Sequence, residues 1–100
     1  MSVVLVRVDV TPALLADVLA LLIIDESLRR WAPGDEDPLV AVVDAGSEHR
    51  SGSRVTVALG RRSDEPATAI IDGRLRVLPP VVPEQLHGVV AALASEALAG

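Results

Sequence analysis

An Asp-Gly dipeptide between two short β-prone runs fixes one piece of the fold. Residues 67–71 and 74–78 are rich in branched apolar side chains and flank Asp72-Gly73. Asp and Gly tolerate the left-handed backbone that a type I′ turn requires at both central positions. The segment therefore predicts a β-hairpin, and with it a sheet that contains antiparallel strands.

Three runs upstream of the hairpin also have the pattern of strands. Residues 3–10 place four valines on one face of an extended chain. Residues 39–43 are continuously apolar, which is typical of a buried strand, whereas residues 54–59 alternate between apolar and polar positions. The polar stretch 44–53, which contains two glycines, predicts a hairpin-type connection between these last two strands.

Two other segments have helical spacing. Thr11-Pro12 is a helix-start signal, because Pro lacks the N–H that would be unsatisfied at the first helical position. The predicted helix runs to about Trp31, where Ala32-Pro33-Gly34 ends it. After Pro79, Pro80 and Pro83 a second, amphipathic helix is predicted from the recurrence of Leu86, Val89, Val90, Leu93 and Ala97.

The apolar stripe of the first helix changes direction near Asp25. One apolar arc consists of Leu14, Leu15, Val18, Leu19 and Leu22. To one side of that arc lie Ile24, Leu28 and Trp31. Either the helix breaks at Asp25 and the chain restarts near Ser27, or one straight helix carries two apolar faces. A lone domain buries only one such face, so the second alternative requires a partner.

These elements predict one α+β domain spanning residues 1–100. The expected order is β-α-β-β-β-β-α, with a small, mostly antiparallel sheet of four or five strands. Both helices are expected on one face of the sheet, which leaves a partly apolar second face.

Composition excludes several classes of function. The chain has no cysteine, so thiolate chemistry and cysteine-based metal sites are excluded. Nine basic residues against fourteen acidic ones give a net charge of −5, which disfavours nucleic-acid and membrane partners. No long apolar stretch predicts a membrane span or a signal peptide, so a cytoplasmic location is expected.

No motif indicates catalysis, a metal site or a cofactor. His49 and His87 have no ligand-type residue at metal-binding spacing, and the acidic run Asp35-Glu36-Asp37 lacks the register of a calcium loop. Anion contacts are a weaker possibility at Arg61, Arg62, Arg74 and Arg76. Nearby acids favour ion pairs as the use of these arginines, and stacking aromatics are scarce.

Two partial resemblances bear on function. The element order resembles that of double-stranded-RNA-binding domains, but the basic residues with which that family binds RNA are missing. Residues 13–60 resemble small tail-completion proteins of bacterial viruses, through the Leu-rich segment Leu21-Leu22-Ile23-Ile24-Asp25-Glu26-Ser27-Leu28 followed by a Pro-flanked apolar strand. The leading strand departs from that pattern. The second resemblance implies a structural subunit that works in a ring.

The excess of apolar positions favours a non-enzymatic interaction or assembly module, with a second copy or another protein as the partner. The expected interface is Ile24, Leu28 and Trp31, together with an apolar face or edge of the sheet. The rival hypothesis is a small-ligand-binding or catalytic domain, with Arg74, Arg76 or His87 at the mouth of an apolar pocket.

Overall fold

The computed structural model describes residues 3–47, 52–62 and 64–99. Within these ranges one six-stranded sheet carries two helices. In chain order the elements are β1 (Val4–Asp9), α1 (Ala13–Ile23), β2 (Leu28–Arg30), β3 (Val40–Asp44), β4 (Val55–Leu59), β5 (Ala67–Ile71), β6 (Arg74–Leu78) and α2 (Pro83–Ala99). The α+β class is confirmed, with a sheet slightly larger than expected.

The sheet is mixed, so the expectation of mostly antiparallel pairing is wrong. In the strand order β2-β1-β3-β4-β5-β6, the first four strands run parallel and the last two pairings are antiparallel. The connection from β3 to β4 therefore joins parallel strands and is not a hairpin. The valine-rich strands fit this arrangement, because parallel strands are buried on both faces: β3 is buried from Val40 to Val43.

The predicted hairpin is confirmed. β5 and β6 pair in the register Ile71 with Arg74. The two turn residues, Asp72 and Gly73, have positive φ angles of 49° and 84°. Asp is among the few side chains that adopt this conformation readily, and Gly adopts it without a Cβ penalty.

The first helix ends at Ile23, so of the two alternatives the break near Asp25 is confirmed and the continuation to Trp31 is wrong. The N–H of Ile24 still donates to the carbonyl of Ala20 at 3.0 Å. Beyond it, Oδ1 of Asp25 accepts hydrogen bonds from the backbone N–H groups of Ser27 and Leu28 at 2.7 and 2.8 Å. A side chain that bonds its own following backbone competes with the helix. The chain then enters β2, parallel to β1.

Both helices lie on one face of the sheet and share a single core. The members of that core on β1, β3 and β4 are Val6, Val40, Val42, Val55 and Val57, all at most 1% exposed. α2 contributes Leu86, Val90, Leu93, Ala94 and Ala97, in agreement with its predicted stripe. α1 contributes Ala16, Leu19 and Ile23.

The face that α1 buries differs from the predicted arc. Only Leu19 of that arc is buried, while Leu14, Leu15, Val18 and Leu22 are between 41% and 74% exposed. The helix turns its small residues Ala16 and Ala20 inward instead. Small side chains let the helix axis lie close to the β-sheet, whose own valines fill the core.

The connection from β2 to β3 begins on the second face of the sheet. Because β3 lies on the other side of β1 from β2, a right-handed connection between them is expected to cross the face opposite α1. Trp31 begins it and lies against Arg7, which points to that face, at 5.4 Å from ring centroid to guanidinium. Ala41, Val43 and Ala58 form a small buried cluster there. In the described ranges neither helix combines the length and apolarity needed to cross a membrane.

Candidate interaction surfaces

Large apolar side chains cover the outward face of α1. Leu14 and Leu21 are 74% and 77% exposed, the largest values among the exposed large hydrophobic residues of the described chain. We define the α1 outer surface as Leu14, Leu15, Val18, Leu21, Leu22 and Ile24. It forms because nearly every residue of this helix is apolar, so burying one face leaves another apolar face in solvent.

This surface carries one charged residue, and that residue is paired. The carboxylate of Asp17 accepts a hydrogen bond from Nη1 of Arg30 at 2.8 Å. Arg30 belongs to β2, the outermost strand beside α1. The ion pair is solvent-exposed and contributes little stability. It leaves the α1 outer surface without net charge.

Among the predicted interface residues only Ile24 lies in this surface. Leu28 is 2% exposed and belongs to the core, so it is not available to a partner. Trp31 is half-buried: its indole N–H donates to the carbonyl of Glu36 at 2.7 Å, and its ring lies under Arg7. The shared helical face that was expected for these residues does not exist, because α1 ends before Leu28.

A second exposed apolar pair lies on β6, the last strand of the sheet. Leu75 and Val77 are 67% and 68% exposed. They point to the sheet face opposite the helices, since Arg76, between them, reaches Glu96 of α2. We call the side of β6 that faces away from β5 the β6 edge.

Arg61, Arg62, Arg74 and Arg76 do not form one anion site. Arg61 and Arg62 follow the carboxyl end of β4, whereas Arg74 pairs with Ile71 at the other end of the sheet. The Nε atom of Arg62 lies 3.4 Å from a carboxylate oxygen of Glu65. Arg76 forms a two-pronged ion pair with Glu96 and thereby lowers the pKa of that carboxyl.

His87 joins α2 to the turn that follows α1. Its Nε2 contacts Oδ2 of Asp25, the residue whose Oδ1 holds the turn. This contact, together with the backbone N–H of Ser27, lowers the pKa of Asp25 well below its usual range. The arrangement gives His87 a structural partner rather than an open ligand position.

An open groove of about 370 Å³ lies at the carboxyl ends of β1, β3 and β4. Asp44 stands in it and accepts hydrogen bonds from the N–H and hydroxyl of Thr11 at 2.9 and 2.8 Å. Arg74 and Arg76 line a different groove on β6, and His87 lines neither. The rival hypothesis, with Arg74, Arg76 or His87 at the mouth of an apolar pocket, therefore stays a prediction.

The remaining candidates for chemistry give no site in the part of the chain that the structure describes. His49 lies outside the described residues. Within the acidic run, Asp35 accepts a hydrogen bond from the N–H of Ala32 at 2.8 Å, which shapes the loop after β2. No group of three metal-ligating side chains occurs in the residues that the structure describes.

Comparisons with known proteins give no relative for this chain. No family model matches the sequence, and neither the curated proteins nor the solved structures include a significant match. The functional argument therefore depends on the surfaces described above.

The sequence contained a signal for the α1 outer surface. Between Ala13 and Ile24, Asp17 is the only polar residue, so the helix has more apolar positions than one face can bury. Periodicity alone does not choose the buried face of such a helix. The β6 edge had no comparable signal, because strand order is not visible in the sequence.

Proposed function

We propose that this chain is a non-enzymatic assembly module that forms a homo-oligomer through the α1 outer surface. The observation that carries the proposal is the group of five large apolar side chains on α1 and Ile24 directly after it, each at least 41% exposed. Exposed apolar patches of several hundred Å² generally mark contact sites in soluble proteins.

Charge confines a contact between two copies to the α1 outer surface. The chain has a net charge of −5, so two copies repel each other across most of their surfaces. The α1 outer surface is the exception, because Asp17 is neutralised by Arg30. Two α1 helices are able to pack antiparallel across a twofold axis beside Val18, which brings Leu14 of one copy close to Leu21 and Leu22 of the other.

Both copies contribute side chains to a symmetric contact. Leu14 and Leu21, the most exposed residues of the α1 outer surface, are therefore each buried twice in the proposed dimer. This burial acts against the roughly 4–15 kcal/mol that association costs in lost translational and rotational freedom.

The test compares Leu21→Lys with Leu98→Lys by light scattering across a range of concentrations. Leu98 is a leucine of similar exposure, 61%, on α2. We expect a wild-type mass that is a multiple of 10.4 kDa, a lower mass for Leu21→Lys, and no change for Leu98→Lys. A monomeric wild-type protein, or an oligomer that Leu21→Lys leaves intact, would contradict the proposal.

A further inference from the structure

The geometry points to the β6 edge as a second, separate self-association surface. We propose that β6 pairs antiparallel with β6 of a second copy, across a twofold axis beside Arg76. The two sheets then become one continuous sheet. This contact goes beyond the proposed α1 contact, since it uses different residues at the opposite end of the strand order from β2.

Hydrogen-bond alternation shows which backbone groups of β6 are open. The N–H of Asp72 donates to the carbonyl of Arg54 at 2.9 Å. The backbone N–H and C=O groups of even-numbered residues in β5 therefore point to β4, and those of odd-numbered residues point to β6. The partners of the odd-numbered residues are the even-numbered residues of β6. The N–H and C=O groups of Leu75 and Val77 therefore point away from β5, into the β6 edge.

This pattern is self-complementary. A twofold axis beside Arg76 places Leu75 of one copy opposite Val77 of the other, and the reverse. Each of these residues then donates one backbone hydrogen bond and accepts one, in the narrow-pair geometry of an antiparallel ladder. Their side chains, 67% and 68% exposed in a single copy, meet on the same face as apolar cross-strand pairs.

The arginine charges beside the twofold axis are already neutralised within each copy. The two copies of Arg76 face each other on the helix side of the joined sheet, where like charges normally oppose pairing. Each Arg76 is already held by its own Glu96, with Nη1 to Oε2 at 2.9 Å. The opposed groups are thus two neutral ion pairs.

β6 lacks several of the usual protections against edge pairing. Natural edge strands are blunted by charged side chains, Pro, bulges or short length. β6 contains no Pro and pairs with β5 without a bulge, and of its two charged residues, Arg74 and Arg76, the one beside the axis is paired with Glu96. Pro79 and Pro80 follow directly and limit the pairing to the strand itself. A second copy of β6 supplies an extended partner of the same length.

The experiment isolates this contact by using Leu21→Lys as the background, because that substitution removes the α1 contact. In sedimentation velocity we expect the background protein to form a dimer of twice 10.4 kDa. Adding Leu75→Lys should give a monomer, whereas adding Leu98→Lys should leave the dimer. Adding Val77→Pro should also give a monomer, because it removes an edge-facing N–H while leaving the pairing with β5.

Glu96→Gln provides a separate readout of the axis. It uncovers two opposed arginines and should raise the dimer dissociation constant about two- to fivefold. A Leu21→Lys protein that is monomeric at every concentration would overturn the β6 contact and leave the α1 proposal standing. If Leu75→Lys dissociates the wild-type oligomer and Leu21→Lys does not, the result contradicts the α1 proposal and supports the β6 contact. A monomeric wild-type protein overturns both.

Discussion

At the scale of single residues, Asp25 joins three elements through one carboxylate. Its Oδ1 accepts the N–H groups that end α1 and lead into β2, and its Oδ2 contacts His87 of α2. Because these contacts stabilise the ionised carboxylate, the folded-state pKa of Asp25 is lowered. The side chain is solvent-accessible, which screens the interaction with His87.

This arrangement predicts a pH-dependent contribution to stability. A carboxyl whose pKa is lowered on folding stabilises the protein above its unfolded-state pKa, near 4, and loses that contribution as pH falls towards the folded value. We expect Asp25→Asn to lower the melting temperature at pH 7. The difference from wild type should shrink as the pH is lowered below about 4. Thermal unfolding followed by circular dichroism over this range is the measurement.

Two comparisons separate the roles of Asp25. His87→Gln removes the contact with α2 and keeps the turn, so it should lower stability less than Asp25→Ala, which removes both. If the difference between Asp25→Asn and wild type were the same at pH 3 and pH 7, ionisation of Asp25 would not contribute to stability.

At the scale of elements, the orientation of α1 decides which surface the protein presents. The helix buries Ala16, Leu19, Ala20 and Ile23 and exposes the α1 outer surface. A rotation that buried the leucine arc would turn the alanines outward and enlarge the apolar contact. Such a rotation would also move Asp17 away from Arg30, which it contacts beside β2.

The orientation predicts a large and a small loss of stability for two truncations that are two positions apart. Ile23→Ala removes a side chain that is 1% exposed and should cost about 2–5 kcal/mol of unfolding free energy. Leu21→Ala removes a side chain that is 77% exposed and should change the monomer's stability by about 0.5 kcal/mol or less. Urea unfolding at low protein concentration measures both. Equal losses would show that α1 buries a different face.

At the scale of the whole molecule, two surfaces favour closed or extended twofold assemblies over a ring of identical contacts. A ring requires a heterologous interface, in which one patch binds a different patch on the next copy. The two proposed contacts are each symmetric instead. The proposals therefore differ from the ring that the resemblance to tail-completion proteins implies.

Small-angle scattering tests this picture directly. A protein that carries both Leu21→Lys and Leu75→Lys should scatter as a particle whose radius of gyration is close to the Cα value of 12.2 Å, slightly enlarged by side chains and hydration. The wild-type protein should give a larger radius at the same concentration. Identical radii for the two proteins would contradict both contacts.

Local pattern determined much of the secondary structure. The hairpin at Asp72-Gly73 was predictable because the turn conformation depends on those two residues, and the stripe of α2 was predictable because its polar positions leave one apolar face. The strands β1, β3 and β4 followed from their valine-rich runs. Each of these signals is contained within a few residues, so it can be interpreted without knowledge of the fold.

Features that depend on contacts between residues far apart in the sequence were determined only by the tertiary structure. The sequence left a break at Asp25 and a straight helix as alternatives, and the break was decided in a fold where Asp25 bonds its own turn and contacts His87, 62 positions further along the chain. The strand order, in which β1 to β4 are parallel, depends on pairing between distant segments and places β6 at an edge of the sheet. The buried face of α1 was undetermined by its sequence, because an almost wholly apolar helix has no preferred side until a sheet and a second helix pack against it.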